Sequence, residues 1–283
     1  MLRAPAARVL DEADEQAVHR LLATDPVAAC VLAGRIEVAG TAETTLGAPL
    51  WGVGGGGALE AVCLAGANLI PFAVPGAEHT AAAAFAERAR RAGRRCSTIV
   101  GPAAAVAPLW DLLAPYWGPP RDHRPDQPLM AIDRPPDVPP EPRVRPVRPA
   151  ELDLLMPAAV AMFTEEVGVS PLRVDGGAGY RARVAELVRA GQSLAWIEDG
   201  TVLFKAEIGA VSRAACQVQG VWVAPAHRGR GIGTAGTAAV VEYARAALAP
   251  VVSLYVNAFN GPARASYRRV GFREVGQYAS VLF

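Results

Sequence analysis

The pattern of apolar and polar positions predicts most elements of the second half of the chain. It predicts helices over roughly 152–166 and 179–190, and an uninterrupted run rich in Ala and Val predicts a third over roughly 232–249. Apolar or alternating runs predict the strands S-L-A-W-I-E, V-L-F-K-A-E-I-G-A-V and C-Q-V-Q-G-V-W-V, with the hairpin signal Asp199-Gly200 between the first two. This order indicates an α+β layout around a central, mostly antiparallel sheet.

The remainder of this half follows the same logic. The run V-S-L-Y-V-N predicts a strand, 262–270 a short helix, and 277–283 a final strand that closes the half. Pro262 suits a first helical turn, and Gly271 suits the position just after a helix.

The first half repeats a similar order more weakly. The runs N-L-I-P-F-A-V-P-G, A-A-A-A-F-A-E-R-A-R-R-A, C-S-T-I-V-G and A-A-V-A-P-L-W-D-L-L predict strand, helix, strand and helix. The glycine run 54–57 lies between two strand-like runs and predicts a hairpin turn. Proline is dense from Asp133 to Arg148, which predicts a semi-rigid linker. We therefore expect a domain at 1–132, a linker at 133–142 and a second domain at 143–283.

A basic, glycine-rich turn joins a strand to a helix within Val221–Gly236, which reads V-W-V-A-P-A-H-R-G-R-G-I-G-T-A-G. Unpaired N–H groups at a helix N-terminus, together with the helix dipole, attract anions. The glycines allow positive φ and close backbone approach, and Arg228 and Arg230 add full charge. The turn therefore predicts a phosphate site. The matching turn of the first half, P-G-A-E-H-T, carries Glu78 where a phosphate needs positive charge.

Two familiar phosphate motifs do not fit this turn. The glycines at 231, 233 and 236 spell G-x-G-x-x-G, but the next strand ends at Asn257 without the acidic residue that a dinucleotide fold requires. A P-loop requires a Lys in the turn, and the single lysine of the chain, Lys205, lies in a strand.

The turn resembles the acetyl-coenzyme A signature [RQ]-x-x-G-x-[GA] of the GNAT acyltransferase superfamily, met by Arg228, Gly231 and Gly233. A second GNAT signature, N-x-x-A-x-x-x-Y-x-x-x-G-F, follows it and is met by Asn260, Ala263, Tyr267, Gly271 and Phe272. The resemblance covers 143–283. It implies two GNAT-like domains in tandem, the first one degenerate, as in a group of actinobacterial proteins.

The resemblance implies acetyl-coenzyme A as cosubstrate and a set of residues that bind it. Backbone groups of Val221 and Val223 would pair with the pantetheine arm, and Asn257 and Asn260 are further candidates for cofactor contacts. The pyrophosphate would lie on the turn formed by Arg228, Gly229, Arg230, Gly231, Ile232, Gly233 and Thr234. Tyr267 is the candidate general acid, since a phenol can protonate a departing thiolate.

The residues leave the general base open. The strand before the turn carries Gln217 and Gln219, where many GNAT enzymes have a glutamate. Glu207 on the preceding strand is the leading candidate, although it shares a face with Lys205 and so can simply form an ion pair with it. Glu165 and Glu166, which suit a solvated helix face, and a water chain without a single base are the alternatives.

Composition narrows the function classes. Hydrophobic residues make up 52% of the 283 residues and the formal net charge is +1, which argues against disorder and against nucleic-acid binding. The four cysteines are far apart, so we expect neither a metal site nor disulfides. The N-terminus turns acidic before an apolar segment forms, which predicts no signal peptide and a cytoplasmic location without membrane contact.

The sequence therefore predicts an acetyl-coenzyme A-dependent N-acyltransferase, either a monomer or a homodimer. Two rivals are a non-catalytic protein that senses acetyl-coenzyme A and an enzyme that transfers a longer acyl chain. The acceptor amine is open between a small molecule and a protein. The loop V-G-V-S-P-L-R-V-D-G-G, which would shape the acceptor side, carries no recognisable code.

Overall fold

A computed structural model describes residues 6–55, 58–173 and 175–283. Parts of three sequence predictions therefore lie outside the described residues: the start of the N-terminus, Gly56 and Gly57 of the glycine run, and Val174 of the acceptor-side loop. The chain folds as two compact units. Unit 1 comprises Met1–Leu129, Tyr255–Phe259 and Glu274–Phe283, and unit 2 comprises Met130–Leu254 and Asn260–Arg273.

Unit 1 is built on a mixed, mostly antiparallel sheet. With labels in chain order, its elements are β1 (Arg8–Val9), α1 (Glu15–Leu22), α2 (Cys30–Ala39), α3 (Glu43–Leu46), β2 (Leu50–Gly55), β3 (Ala58–Ala65), β4 (Asn68–Ala73), α4 (Glu78–Ala92), β5 (Thr98–Pro102), α5 (Ala103–Trp117), β6 (Asp122–Ile132) and β12 (Arg273–Leu282). The strand order is β1-β2-β3-β4-β5-β12-β6, in which β4 and β5 are parallel.

Helices cover both faces of this sheet, because its strands carry apolar residues on both faces. Ala61 and Cys63 of β3 pack in a cluster with α4 and α5, whereas Val62 and Leu64 pack with α1 and α2. A strand turns successive side chains to opposite faces, so each strand serves two cores.

The final strand differs from its expected place. The sequence assigned it to the second half of the chain, but β12 pairs antiparallel with β5, and Glu274–Phe283 belongs to unit 1. Ala279 and Val281 of β12 complete the cluster under α4 and α5, and the Phe283 ring packs edge-on against Trp110. The apolar face of this strand thus finds its partners in unit 1, and local pattern carries no information on that choice.

Unit 2 contains the turn singled out above. Its elements are β7 (Arg145–Pro146), α6 (Leu152–Val167), α7 (Ala178–Arg189), β8 (Ser193–Glu198), β9 (Thr201–Val211), β10 (Ala215–Val223), α8 (Ile232–Ala247), β11 (Val251–Tyr255) and α9 (Gly261–Val270). The strand order is β11-β10-β9-β8-β7, and only the β10–β11 pair among these described strands is parallel.

The helices of unit 2 lie on both faces of its sheet. Helices α6 and α7 pack with Ala195, Val202 and Trp222 on one face, and α8 packs on β9 and β10. The predicted helices are confirmed, although α8 ends at Ala247, two residues early, because the residues before Pro250 are driven from helical geometry. The α+β fold class, with a mostly antiparallel sheet in each half, is confirmed as well.

The proline-rich segment 133–142 belongs to unit 2. The Asp137 N–H donates to the Val270 carbonyl at 2.8 Å, and the Glu141 N–H donates to the Ala235 carbonyl at 3.0 Å. Backbone hydrogen bonds therefore hold the segment beside the first turn of α8 and the end of α9.

A buried carboxylate ties the start of α6 to β7. Glu151 is 7% exposed and accepts hydrogen bonds from the Arg145 guanidinium at 2.7 and 2.8 Å and from the Arg148 N–H at 2.9 Å. The hydrogen bonds from Arg145 and then from Arg148 hold the pKa of Glu151 well below its usual range. A lowered pKa contributes stability that is present above the unfolded pKa and lost as the pH falls toward the folded one.

We expect Glu151→Gln to lower the free energy of unfolding at pH 7 by about 2 kcal/mol, because charge-assisted hydrogen bonds are lost in a buried place. Urea unfolding at pH 7 and between pH 5 and 3 measures the effect, and the difference between variant and wild type should shrink as the pH falls below 4.5. Glu186→Gln is the control, because its ion pair with Arg183 is exposed and of little energetic value. A loss for Glu151→Gln that is constant from pH 7 to 3 would contradict the assignment.

Candidate functional site

Strand β10 separates from β11 along its second half, which leaves an open edge. The two strands pair from Ala215 to Gln217 of β10, whereas β10 continues to Val223. No further pairing with β11 occurs in the described residues. A parallel strand pair that stops pairing midway leaves backbone groups free to receive an extended ligand as an extra strand.

The backbone groups of Val223 face this open edge. The N–H of Ala224, the next residue, donates to the Leu203 carbonyl of β9 at 2.9 Å. Because backbone groups alternate in direction along a regular strand, those of Val223 point away from β9. Val221 lies in the irregular stretch between Gln219 and Trp222, and its backbone contact with a cofactor stays a prediction. The Arg228 Nε donates to the Val223 carbonyl at 3.0 Å, which agrees with this orientation.

The glycine-rich turn presents a row of unpaired donors. Gly229 has φ +75° and Gly231, the residue before α8, has φ +81°, so both need the freedom of glycine. Within the described parts of the chain, the backbone N–H groups from Gly229 to Gly233 have no hydrogen-bond acceptor. The turn is exposed from Arg228 to Gly231, and the dipole of α8 adds positive potential there. This arrangement fits an anion such as a pyrophosphate.

Thr234 joins the turn to the second signature segment. Its hydroxyl lies 2.8 Å from the hydroxyl of Ser266 on α9, so the first turn of α8 is fixed beside the helix that carries Tyr267. Ile232 and Gly233 form the start of α8, between the exposed part of the turn and Thr234.

The side chain of Arg228 has a protein partner that the sequence did not reveal. Its guanidinium donates to Glu165 of α6 at 2.7 Å, and the indole N–H of Trp222 donates to the same carboxylate at 3.1 Å. Arg228 therefore links the turn to α6. Arg230 is an exposed residue of the same turn. Glu165 is exposed, as the solvated helix face predicts, but its carboxylate is also paired, and its separation of 63 positions from Arg228 explains why no local pattern revealed the pair.

Tyr267 lies in the interior of α9 and is 8% exposed. Its ring packs against Phe272 with centroids 6.0 Å apart. Burial, and then the charge of Glu166, raise the pKa of Tyr267 above its ordinary value. The phenol is therefore protonated at neutral pH, which is the form that a general acid requires.

Asn260 caps α9, since its side-chain oxygen accepts from the Ala263 N–H at 3.2 Å. Asn257, by contrast, belongs to unit 1, where its side-chain oxygen accepts from Gln127 at 2.9 Å. Gln127 in turn accepts from the Ser280 hydroxyl at 2.6 Å. The side chain of Asn257 is thus part of a polar network of unit 1, and its role as a cofactor contact stays a prediction.

Glu207 is 4% exposed and forms the ion pair that its spacing from Lys205 predicts. Lys205 Nζ donates to Glu207 Oε1 at 2.6 Å, and the Gln219 side chain lies 3.5 Å from Glu207 Oε2. Lys205 itself is fully buried. Each carboxylate oxygen thus has a neighbouring donor, only Oε1 is in contact with Lys205, and the assignment of Glu207 as the base stays a prediction.

In the corresponding turn of unit 1, which precedes α4, a backbone N–H group is already paired with a side chain. The Gly76 N–H donates to the Glu78 carboxylate at 2.7 Å at the start of α4. The neighbouring strands also close together, because a Cβ on Gly101 of β5 would lie 2.9 Å from the Pro71 carbonyl of β4. The prediction that this turn opposes a phosphate is consistent with these contacts.

The described residues contain neither a membrane-spanning helix nor a metal-binding cluster. No helix there is both long and apolar enough to cross a membrane. No group of three or more His, Cys, Asp or Glu side chains there is arranged to hold a metal ion.

Comparison with known families gives two matches. Residues 163–272 match the model of the Acetyltransferase (GNAT) family, and residues 48–155 match the model of a Domain of unknown function (DUF4081). Comparison with curated proteins gave no match.

Solved structures resemble the chain over nearly its whole length. A Drosophila protein is 12% identical with a TM-score of 0.69, and the match covers 99% of each chain. A GCN5-related N-acetyltransferase from Sphaerobacter thermophilus is 20% identical with a TM-score of 0.56, over 97% of this chain and 93% of that one. A tandem GNAT protein from the clavulanic acid biosynthesis pathway is 18% identical with a TM-score of 0.50, over 98% of both chains. At these identities the likeness shows the fold.

Proposed function

We propose that this chain, which carries an acetyltransferase domain of the GNAT family, transfers the acetyl group of acetyl-coenzyme A to a primary amine by direct attack. The observation that carries the proposal is the row of unpaired N–H groups from Gly229 to Gly233 at the end of an open strand edge. An anion on the turn and an extended arm along Val221 and Val223 would together satisfy both sets of donors and acceptors.

The reaction needs a binding step and two proton transfers. The amine nitrogen forms a bond to the carbonyl carbon as the carbon–sulfur bond breaks, so the amine loses a proton and the thiolate gains one. Tyr267 is protonated and supplies the second of these protons. Glu207 is our candidate for the first, through the carboxylate oxygen that Lys205 does not occupy.

The turn contributes to rate as well as to binding. A pyrophosphate held on fixed backbone donors anchors the coenzyme far from the reacting carbon, which converts binding energy into orientation. Arg228 connects the open edge of β10 to α6, since it contacts the Val223 carbonyl on the edge and Glu165 on α6. An arm that pairs with Val223 would compete with Arg228 for that carbonyl.

Thermal unfolding with acetyl-coenzyme A, and with NAD and ATP as controls, tests the proposal. At about a hundred times its dissociation constant, a ligand stabilises the folded state by about 2.7 kcal/mol, which raises the midpoint by several degrees. We expect this shift with acetyl-coenzyme A and with neither NAD nor ATP. An amine screen that follows free thiol release then tests turnover. Binding without turnover of any amine would favour a sensor of acetyl-coenzyme A, and no binding would refute the proposal.

A further inference from the structure

The single lysine of the chain occupies a fully buried position. The sequence uses arginine at its other Lys or Arg positions, yet Lys205 lies in the middle of β9 with no exposed surface. An ammonium group out of water is costly unless it is paired and hydrogen-bonded. A cation retained in such a place therefore calls for a specific structural reason.

The ammonium of Lys205 contacts two groups that differ in kind. It donates to Glu207 Oε1 at 2.6 Å and to the Gly220 carbonyl at 3.4 Å. The first contact balances its charge, and the second reaches across to the backbone of the neighbouring strand β10. A compact ammonium with three donors can serve both at once.

Gly220 lies in a β-bulge. The β9–β10 register is irregular between Gln219 and Trp222, and Gly220 has φ +59°. A Cβ at this position would lie 2.9 Å from Met162 Cε and 3.3 Å from Lys205 Nζ, so the bulge closes tightly around the ammonium. A planar guanidinium is larger than an ammonium, and this crowding explains why the position carries lysine in a chain that otherwise uses arginine.

The bulge sets the direction of the strand that follows it. Bulges bend a strand and re-aim the residues beyond them. Here Val221 completes the bulge, and Val223, whose backbone groups face the open edge, follows it. The carbonyl that Lys205 holds is thus immediately before the segment that would receive the coenzyme.

We infer that Lys205 is a positioning residue of the transfer site. Its ammonium fixes the Gly220 carbonyl and hence the bulge, and the bulge holds the Val221–Val223 edge in the conformation that binds the pantetheine arm. Glu207 provides the counter-charge that allows the ammonium to be buried. The part of this inference that concerns the coenzyme rests on the proposed function, and the part that concerns the bulge does not.

Two variants separate the ammonium from its counter-ion. Glu207→Gln keeps the Lys205 side chain beside the Gly220 carbonyl and offers it the amide oxygen of Gln in place of the carboxylate. Lys205→Met combined with Glu207→Gln removes the ammonium and the buried charge together, and its near-equal side-chain volumes avoid the unpaired carboxylate that Lys205→Met alone would leave. We expect the double variant to bind acetyl-coenzyme A about tenfold more weakly than Glu207→Gln and than the wild type, as measured by isothermal titration calorimetry. Should Glu207→Gln fail to fold, the double variant is compared with the wild type alone.

Steady-state kinetics distinguish positioning from simple stability. We expect the additional loss in the double variant to appear as a tenfold higher KM for acetyl-coenzyme A, with kcat within about twofold of that of Glu207→Gln. A lysine that only stabilises the core would lower the melting temperature of the double variant and leave KM unchanged. Affinity and KM within twofold of the wild type would overturn the inference.

Amide hydrogen exchange without ligand tests the bulge independently of the proposed function. We expect exchange of the Trp222 and Ala224 amides, which point toward β9, to accelerate at least tenfold in the double variant, while exchange in β8, Ser193–Glu198, stays as in the wild type. Unchanged exchange of these two amides would overturn the inference even if coenzyme binding is confirmed. Faster exchange in a protein that does not bind acetyl-coenzyme A would instead refute the proposed function and leave the bulge assignment standing.

Discussion

Gly233→Asp is expected to abolish acetyl-coenzyme A binding while leaving the protein folded. Gly233 lies in the first turn of α8, where its N–H is the last of the unpaired donors. A carboxylate there would compete for these donors, as Glu78 does for the Gly76 N–H in unit 1. It would also repel a pyrophosphate, and two unit charges about 4 Å apart interact with about 4 kcal/mol at an effective dielectric constant of 20. We therefore expect calorimetry to show at least a 100-fold loss of affinity.

Gly233→Ala is the matched control. An added Cβ would lie 3.5 Å from Val223 Cγ2 and 3.9 Å from Ser266 Oγ, which is ordinary van der Waals contact. Alanine favours a helix over glycine by up to about 1 kcal/mol, and an acidic residue in a first turn is also favourable. Both variants should thus melt at or above the wild-type temperature, and only Gly233→Asp should lose the coenzyme. Retained affinity in a folded Gly233→Asp variant would refute the assignment of the turn.

The turn and its helix could be predicted from sequence because both depend on local chemistry. Gly229 and Gly231 adopt positive φ, as only glycine does without strain, and the Ala-rich run after them forms α8. The capping role of Asn260 is equally local, since donor and acceptor lie three residues apart. Such features can be predicted because they depend only on residues that are close together in the sequence.

The partners of the site residues could not be predicted, because they come from distant parts of the chain. Arg228 contacts Glu165 only after α6 has packed beside β10, and β12 joins β5 across more than 170 residues of sequence. The bulge at Gly220 was also missed. A glycine in a strand is a weak bulge signal, and its meaning depends on the cross-strand lysine that tertiary structure brings to it.

Glu165 and Glu166 are equivalent in the sequence, but the fold gives them different contacts. Glu165 is held by Trp222 and Arg228, whereas the charge of Glu166 acts on the phenols of Tyr180 and Tyr267. Consecutive residues on a helix point about 100° apart, so one faces the turn and the other faces the two tyrosines. The raised pKa of Tyr267 thus has a cause in α6 as well as in its own burial.

Tyr267→Phe is expected to lower kcat by about 100-fold and to leave the affinity for acetyl-coenzyme A within about twofold of the wild type. General acid catalysis contributes a factor of this size, and the substitution removes only the group that gives the proton. The ring contact with Phe272 is kept, so the melting temperature should change little. Because burial and Glu166 raise the pKa of Tyr267, the phenol stays protonated in mildly alkaline solution, and kcat of the wild type should not fall through loss of this proton below about pH 10.

Tyr180→Phe provides the comparison that separates chemistry from packing. Tyr180 is another tyrosine of unit 2 whose pKa is raised, first by burial and then by Glu207 and Glu166, but its hydroxyl donates to the Ala159 carbonyl at 2.9 Å. Its removal should therefore cost about 1 kcal/mol of stability and leave kcat near the wild-type value. The two variants are expected to show opposite profiles, with activity lost in one and stability in the other. If Tyr267→Phe keeps its kcat, the phenol is a packing residue, and the proton for the departing thiolate comes from solvent.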